Sequence, residues 1–216
     1  MPARLVLEAF ATLVVSFGLL SCAATYYRAL ETFGIEKRDI LVNRVEDARA
    51  SQEAAKEQFS SALEQYRAVI EVEAGDLEDI YDRLDAEYAR SEDRASTVRE
   101  RVDEVAAVAD DLFEEWEDEL EQYADPGLRR QSQRLLAQTR AESADVLRAM
   151  RRAEQAMDPV LTLFEDQVLI LRHNLNARAI GSLENELESI ERATAALIEE
   201  MERAIAEASQ FIEAMA

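Results

Sequence analysis

The sequence predicts an all-α fold, an elongated antiparallel bundle of about four long heptad-patterned helices. Three observations carry that expectation. Apolar or small residues recur in 4-3 spacing over most of the chain, the stripe a helix buries against its neighbours. Only 5 Gly and 3 Pro occur in 216 residues, so few turns are available, and Ala, Glu, Leu and Arg dominate as they do in long helices. The clearest break, Ala124-Asp125-Pro126-Gly127, separates two patterned limbs. It predicts a long helical hairpin.

Residues 1–22 read as an export signal. Arg4 provides a weak positive start, Ala9 to Leu20 an apolar core, and the segment closes on Leu19-Leu20-Ser21-Cys22. That ending resembles a bacterial lipobox, which would make Cys22 the acylated first residue of the mature protein. Ala23 in place of Asp then implies sorting to the outer membrane, facing the periplasm. Two other readings stay open. Cleavage after Ala24 would release a soluble periplasmic protein, and an uncleaved segment would be a short anchor, although a span needs ~20 apolar residues. Helical pattern begins at Tyr26, with no flexible tether before it.

Residues 23–216 form one domain, with helices expected over approximately 26–74, 76–123, 127–173 and 177–215. Gly34 interrupts the first, whose seam runs Leu41, Val45, Ala48, Gln52, Ala55, Phe59, Ala62, Tyr66, Val69. Gln52 reads as a polar core residue that sets register. Gly75 suits a helix C-terminus and Asp76 a cap for the next helix. The second seam runs Leu77, Tyr81, Leu84, Tyr88, Ser91, Ala95, Val98, Val102, Val105, Ala109, Leu112, Trp116. Trp116 and Phe113 read as core.

The third helix has two seams. Leu128, Leu135, Val146, Ala149, Ala153, Ala156, Val160, Leu163 and Ile170 make one; Leu136, Leu147, Met150, Met157, Leu161, Phe164, Val168 and Leu171 make the other. Two seams imply two partners. Pro159 preserves their phase, which predicts a kinked but continuous helix. His173-Asn174-Leu175-Asn176 is the expected third turn, with His173 serving as a partner for the helix C-terminus. The last seam runs Ile180, Leu183, Leu187, Ile190, Thr194, Leu197, Met201, Ala204, Ala208, Phe211, Met215. Short turns predict up-down-up-down neighbours, although the first helix could instead pair across a dimer.

Charge suggests a register for the hairpin. Asp110, Asp111, Glu114, Glu115, Glu117, Asp118, Glu119 and Glu121 end the second helix, and Arg129, Arg130, Arg134 and Arg140 open the third. Equal distance from the turn would set the two blocks face to face, which opposes slipped or parallel pairings.

The net charge of -22, from 46 acidic and 24 basic residues, repels phosphate backbones and disfavours nucleic acid as a partner. One Cys and one His leave no cysteine-rich or multi-histidine metal centre. A di-iron bundle would need Glu-x-x-His pairs, yet Ile170 occupies the Glu place before His173. The acidic run Asp110 to Glu121 lies on a straight helix and cannot wrap around Ca²⁺ as a loop does. Phosphate loops, nucleophile elbows and zinc motifs are missing too. No catalytic, cofactor or metal residue is therefore assigned, and no small-molecule substrate is identified.

Several stretches together carry a resemblance: Phe33-Gly34-Ile35-Glu36-Lys37-Arg38-Asp39-Ile40-Leu41-Val42, Ala54-Ala55-Lys56-Glu57-Gln58-Phe59-Ser60-Ser61-Ala62-Leu63, Glu115-Trp116-Glu117, Leu128-Arg129-Arg130-Gln131-Ser132, Arg148-Ala149-Met150-Arg151-Arg152 and His173-Asn174-Leu175-Asn176-Ala177. They resemble a bacterial envelope family catalogued as domain of unknown function 2959 over nearly all of the mature chain. The resemblance implies a Gram-negative, exported, helical protein and transfers no catalytic or binding residue. The expected role is a non-enzymatic envelope lipoprotein, a structural or adaptor module that engages a protein partner or a second copy through helical faces. Lipid or amphiphile handling at the membrane surface and acidic cation buffering are the alternatives.

Overall fold

A computed structural model describes residues 37–71, 77–173 and 177–215. They form α1 (Lys37–Glu71), α2 (Leu77–Leu120), α3 (Pro126–His173) and α4 (Ala177–Met215), with no strand among the described residues. The expected all-α bundle is what forms. The chain divides into two units, Met1–Ile40 and Leu41–Ala216. In the first only the opening turn of α1 is described. The second holds the rest of α1 and the other three helices. The export segment with Cys22, the expected helical start at Tyr26, Gly34, the Gly75-Asp76 turn and Asn174 to Asn176 lie outside the described residues.

Helix α1 has the most regular burial. Its seam residues from Leu41 through Val45, Ala48, Gln52, Ala55, Phe59, Ala62 and Tyr66 to Val69 are all buried. Side chains of α1 reach all three other helices, which removes the alternative of a first helix held only across a dimer. Gln52 Nε2 donates to the Met150 carbonyl of α3 at 3.4 Å. The Tyr66 ring meets Phe164 edge-on at 5.6 Å, and its Oη donates to the Leu183 carbonyl of α4 at 2.9 Å. Arg44 reaches Glu104 of α2 at 3.5 Å. Along α1 the partners on α3 rise in number while those on α2 and α4 fall. The order is therefore up-down-up-down, with α1 parallel to its diagonal neighbour α3.

The turn between α2 and α3 is built by Asp125. Its Oδ1 accepts from the backbone N–H of Gly127 at 2.6 Å and of Leu128 at 2.9 Å, satisfying donors that a helix start leaves open. Pro126 opens α3, where its missing N–H costs nothing. A Cβ on Gly127 would come within 2.9 Å of that same Oδ1, so this glycine leaves room for the cap. At the other end α3 closes on Arg172 and His173, and the Arg172 cation suits a helix C-terminus. Helix α3 runs unbroken through Pro159.

Two expectations about this hairpin are corrected. Leu128 and Leu135, assigned to a buried seam, are 55% and 49% exposed. The facing charge blocks do not meet as blocks. Arg140 Nη1 binds Glu117 at 2.6 Å, but Arg129, Arg130 and Arg134 are exposed, and among the described residues none of them forms an ion pair. The bridges that span the hairpin lie further from the turn, Arg151 to Asp103 at 2.5 Å and Arg99 to Asp158 at 2.6 Å. The reason is rotational. Equal distance from the turn fixes the level of a residue, whereas its place around the helix decides whether it faces the partner.

Candidate functional site

Polar groups inside the bundle are few, and they serve packing. Glu87 of α2 is buried, with its carboxylate accepting from Gln58 Nε2 of α1 at 2.8 Å and from Arg90 Nη2 at 2.5 Å. A buried charge persists when it is paired and hydrogen-bonded in this way. Tyr66 carries a hydroxyl whose pKa burial pushes up, with the Glu186 carboxylate adding to the shift. Among the described residues four side-chain oxygens are buried without a hydrogen-bond partner: Gln52 Oε1, Gln167 Oε1, Thr194 Oγ1 and Glu200 Oε2, the last in an ion pair with Arg152 at 3.6 Å. Gln167 lies roughly 25 Å along α3 from Met150, the partner of Gln52, at 1.5 Å per residue, whereas Glu200, paired with Arg152, lies nearly level with that partner.

Surface grooves run between helices. One, about 520 Å³, lies between α3 and α4 and is lined by Leu163, Asp166, Leu169, Ile170, Ser182 and Glu186 among others. A second, about 270 Å³, holds Asp110, Glu114 and Glu117 of α2 beside Arg140 of α3. The Arg140 guanidinium stacks over Phe113 at 5.2 Å. Hydrogen bonding and charge from Arg140 hold the Glu117 carboxyl below its ordinary range. Among the described residues no group of three or more His, Cys, Asp or Glu is placed to hold a metal ion. The acidic run therefore presents carboxylates one turn apart along a rod.

The most unusual surface is the arm formed by the α2–α3 hairpin near its turn. From Glu121 to Gln131 every residue is exposed. Phe113, Leu120, Ser132 and Leu136 make the seam between its two helices, and Trp116 Nε1 donates to Ser132 Oγ at 2.9 Å. Phe113 is core as expected, while Trp116 is partly buried at the edge. Sequence reading missed the Asp125 cap, although Asp before Pro at a helix start is a recognisable signal. It missed Glu87 as well, because an acidic residue between Leu84 and Ser91 has no apolar signature.

No described helix is long and apolar enough to cross a membrane. No curated protein and no solved structure matches the chain. A family profile described as protein of unknown function (DUF2959) matches residues 26–215. The likeness read from the Phe33 to Val42 and His173 to Ala177 stretches is thus confirmed across the bundle, and the chain belongs to the DUF2959 family.

Proposed function

We propose that this protein is a non-enzymatic helical adaptor of the bacterial cell envelope, a lipoprotein held at the outer membrane through Cys22 that engages a protein partner or a second copy. One observation carries the reading. The bundle spends its apolar seams on helix packing and leaves large side chains exposed at the hairpin arm, with Leu128 and Leu135 uncovered near the turn. Exposed apolar residues grouped on one element are a signature of interaction surfaces. The anchoring half of the proposal rests on Leu19-Leu20-Ser21-Cys22.

The test is crosslinking and pull-down in cells, with Cys22 intact and with Cys22→Ser. Recovery of a discrete protein neighbour or dimer, together with palmitate-analogue label lost in Cys22→Ser, is the expected result. Absence of any protein neighbour and of any dimer removes the adaptor reading. Label that persists in Cys22→Ser removes the lipid anchor.

A further inference from the structure

The side of α2 turned towards α3 carries a ladder of carboxylates. Asp103, Asp110, Glu114 and Glu117 follow i, i+7, i+11, i+14 spacing and so share one stripe. Both ends of the ladder are met by arginines of α3, Asp103 by Arg151 at 2.5 Å and Glu117 by Arg140 at 2.6 Å. The matching stripe of α3 runs Arg140, Ala144, Leu147, Arg151, at i, i+4, i+7, i+11. Level with the two middle rungs, α3 therefore offers Ala144 and Leu147 instead of a cation. Asp110 and Glu114 are exposed, and among the described residues neither forms an ion pair. The groove of about 270 Å³ opens at this level, and its lining comes wholly from α2 and α3. Helix α1 meets the other flank of α2, where Glu104 takes Arg44 at 3.5 Å. Ser143 is 3% exposed and lines the groove, so the small accessible part of it opens there. Among the described residues its hydroxyl takes part in no hydrogen bond, and a polar group so buried ordinarily has a partner.

We propose that this gap in the ladder receives an arginine side chain of the protein partner. The proposal rests on the adaptor reading above and names the group that the partner presents. Arg140 displays the chemistry one rung away, its guanidinium stacked over Phe113 at 5.2 Å while it binds Glu117. A second guanidinium in the gap meets Asp110 and Glu114, which lie one turn apart, and Ser143 Oγ is a third acceptor beside them. Five N–H donors in a planar fork match several acceptors better than the point charge of an ammonium does. The stem of the arginine lies along Ala144 and Leu147, as such stems do on apolar surface. Size favours a side chain over a free ligand, because pockets for drug-sized molecules run from about 300 to about 1,000 Å³ and this groove is smaller. An exposed charge pair adds little affinity by itself. The gap therefore fixes the register of a larger contact and selects a basic partner over an acidic one.

Amide chemical shifts of the full chain, titrated at low salt with n-propylguanidinium, test the site. That probe carries the stem and head of an arginine side chain. Saturable shifts at Ser143, Ala144 and Leu147 are expected, with a constant of about 1 mM or weaker. Asp110→Asn with Glu114→Gln should weaken the binding by at least about fivefold. Ala144→Arg should abolish it by filling the gap from within, with helical circular dichroism unchanged in both variants. n-Propylurea, planar but uncharged, should not bind. In cells, the yield of the crosslinked neighbour should fall severalfold when Asp110 and Glu114 are neutralised. Shifts that spread over the acidic surface without saturating overturn the proposal, and so does binding indifferent to Asp110 and Glu114 or shared equally by the urea. A neighbour recovered undiminished from the Asp110→Asn, Glu114→Gln chain also overturns it and leaves the adaptor reading standing. Absence of any neighbour from the unaltered chain removes the adaptor reading, and the assignment to a partner falls with it.

Discussion

The body of the bundle and the hairpin arm carry one heptad pattern and treat it differently. In the body, Ala149, Met150, Ala153 and Met157 of α3 are buried because α1, α2 and α4 all flank that stretch. In the arm, Leu128 and Leu135 extend the same pattern, and half of each side chain meets solvent. Periodicity thus marks which face of a helix is made for contact. What lies against that face at each level decides whether the contact is made.

The sharpest way to break this comparison is truncation in both regions. Phe59→Ala, in the body, should cost about 3–5 kcal/mol because the cavity has packed helices on every side. Leu135→Ala in the arm should stay within about 0.5 kcal/mol at concentrations where the chain is monomeric. Urea titrations of both variants check it, and equal losses would erase the distinction. The arm's own stability rests on its turn. Asp125→Ala should cost about 1 kcal/mol through loss of two cap hydrogen bonds, and Gly127→Ala should lose part of the same cap because its Cβ displaces the Asp125 carboxylate. Thermal melts give both values.

Tyr66 supplies a pH signature confined to the body. Its folded pKa is raised above the ordinary value of 10.0 by burial. The unfolded chain therefore loses that proton first. Stability from the neutral hydroxyl is complete below pH ~10 and declines as pH rises beyond it. Tyr66→Phe should lose about 1 kcal/mol at pH 7 with the bond to the Leu183 carbonyl, and its stability should fall less steeply above pH ~10. Denaturation midpoints at pH 8 and pH 11 test the sign, and an unchanged slope would rule out Tyr66 as its source. The smallest expected effect is at the surface of the arm. Arg140→Gln removes the exposed Glu117 bridge and should lower stability only slightly at low salt, and less at high salt.

The body was readable because its pattern and its surroundings agree. Along α1, Leu41 to Val69 announced a buried stripe at every heptad position, and Gln52 announced itself as a polar core residue. Both expectations hold in the structure. The arm was legible only in part. Leu128 and Leu135 are in phase with Val146, and nothing local to them separates the exposed positions of that seam from the buried ones. The Arg129–Arg134 cluster misled for a related reason, since distance from a turn carries no information on rotation about the helix. Of the candidate site, the lipobox at Cys22 remains a reading of sequence, because it lies outside the described residues.

Hydrogen exchange resolved along α3 tests the central claim most directly, in a solution dilute enough for the chain to be monomeric. Amides from Ser143 to Leu171 should open only with global unfolding, while those from Arg129 to Arg140 should exchange by local opening at markedly lower free energy. Uniform protection from Arg129 to Leu171 would contradict the account, since it would mean that the arm is covered as fully as the body.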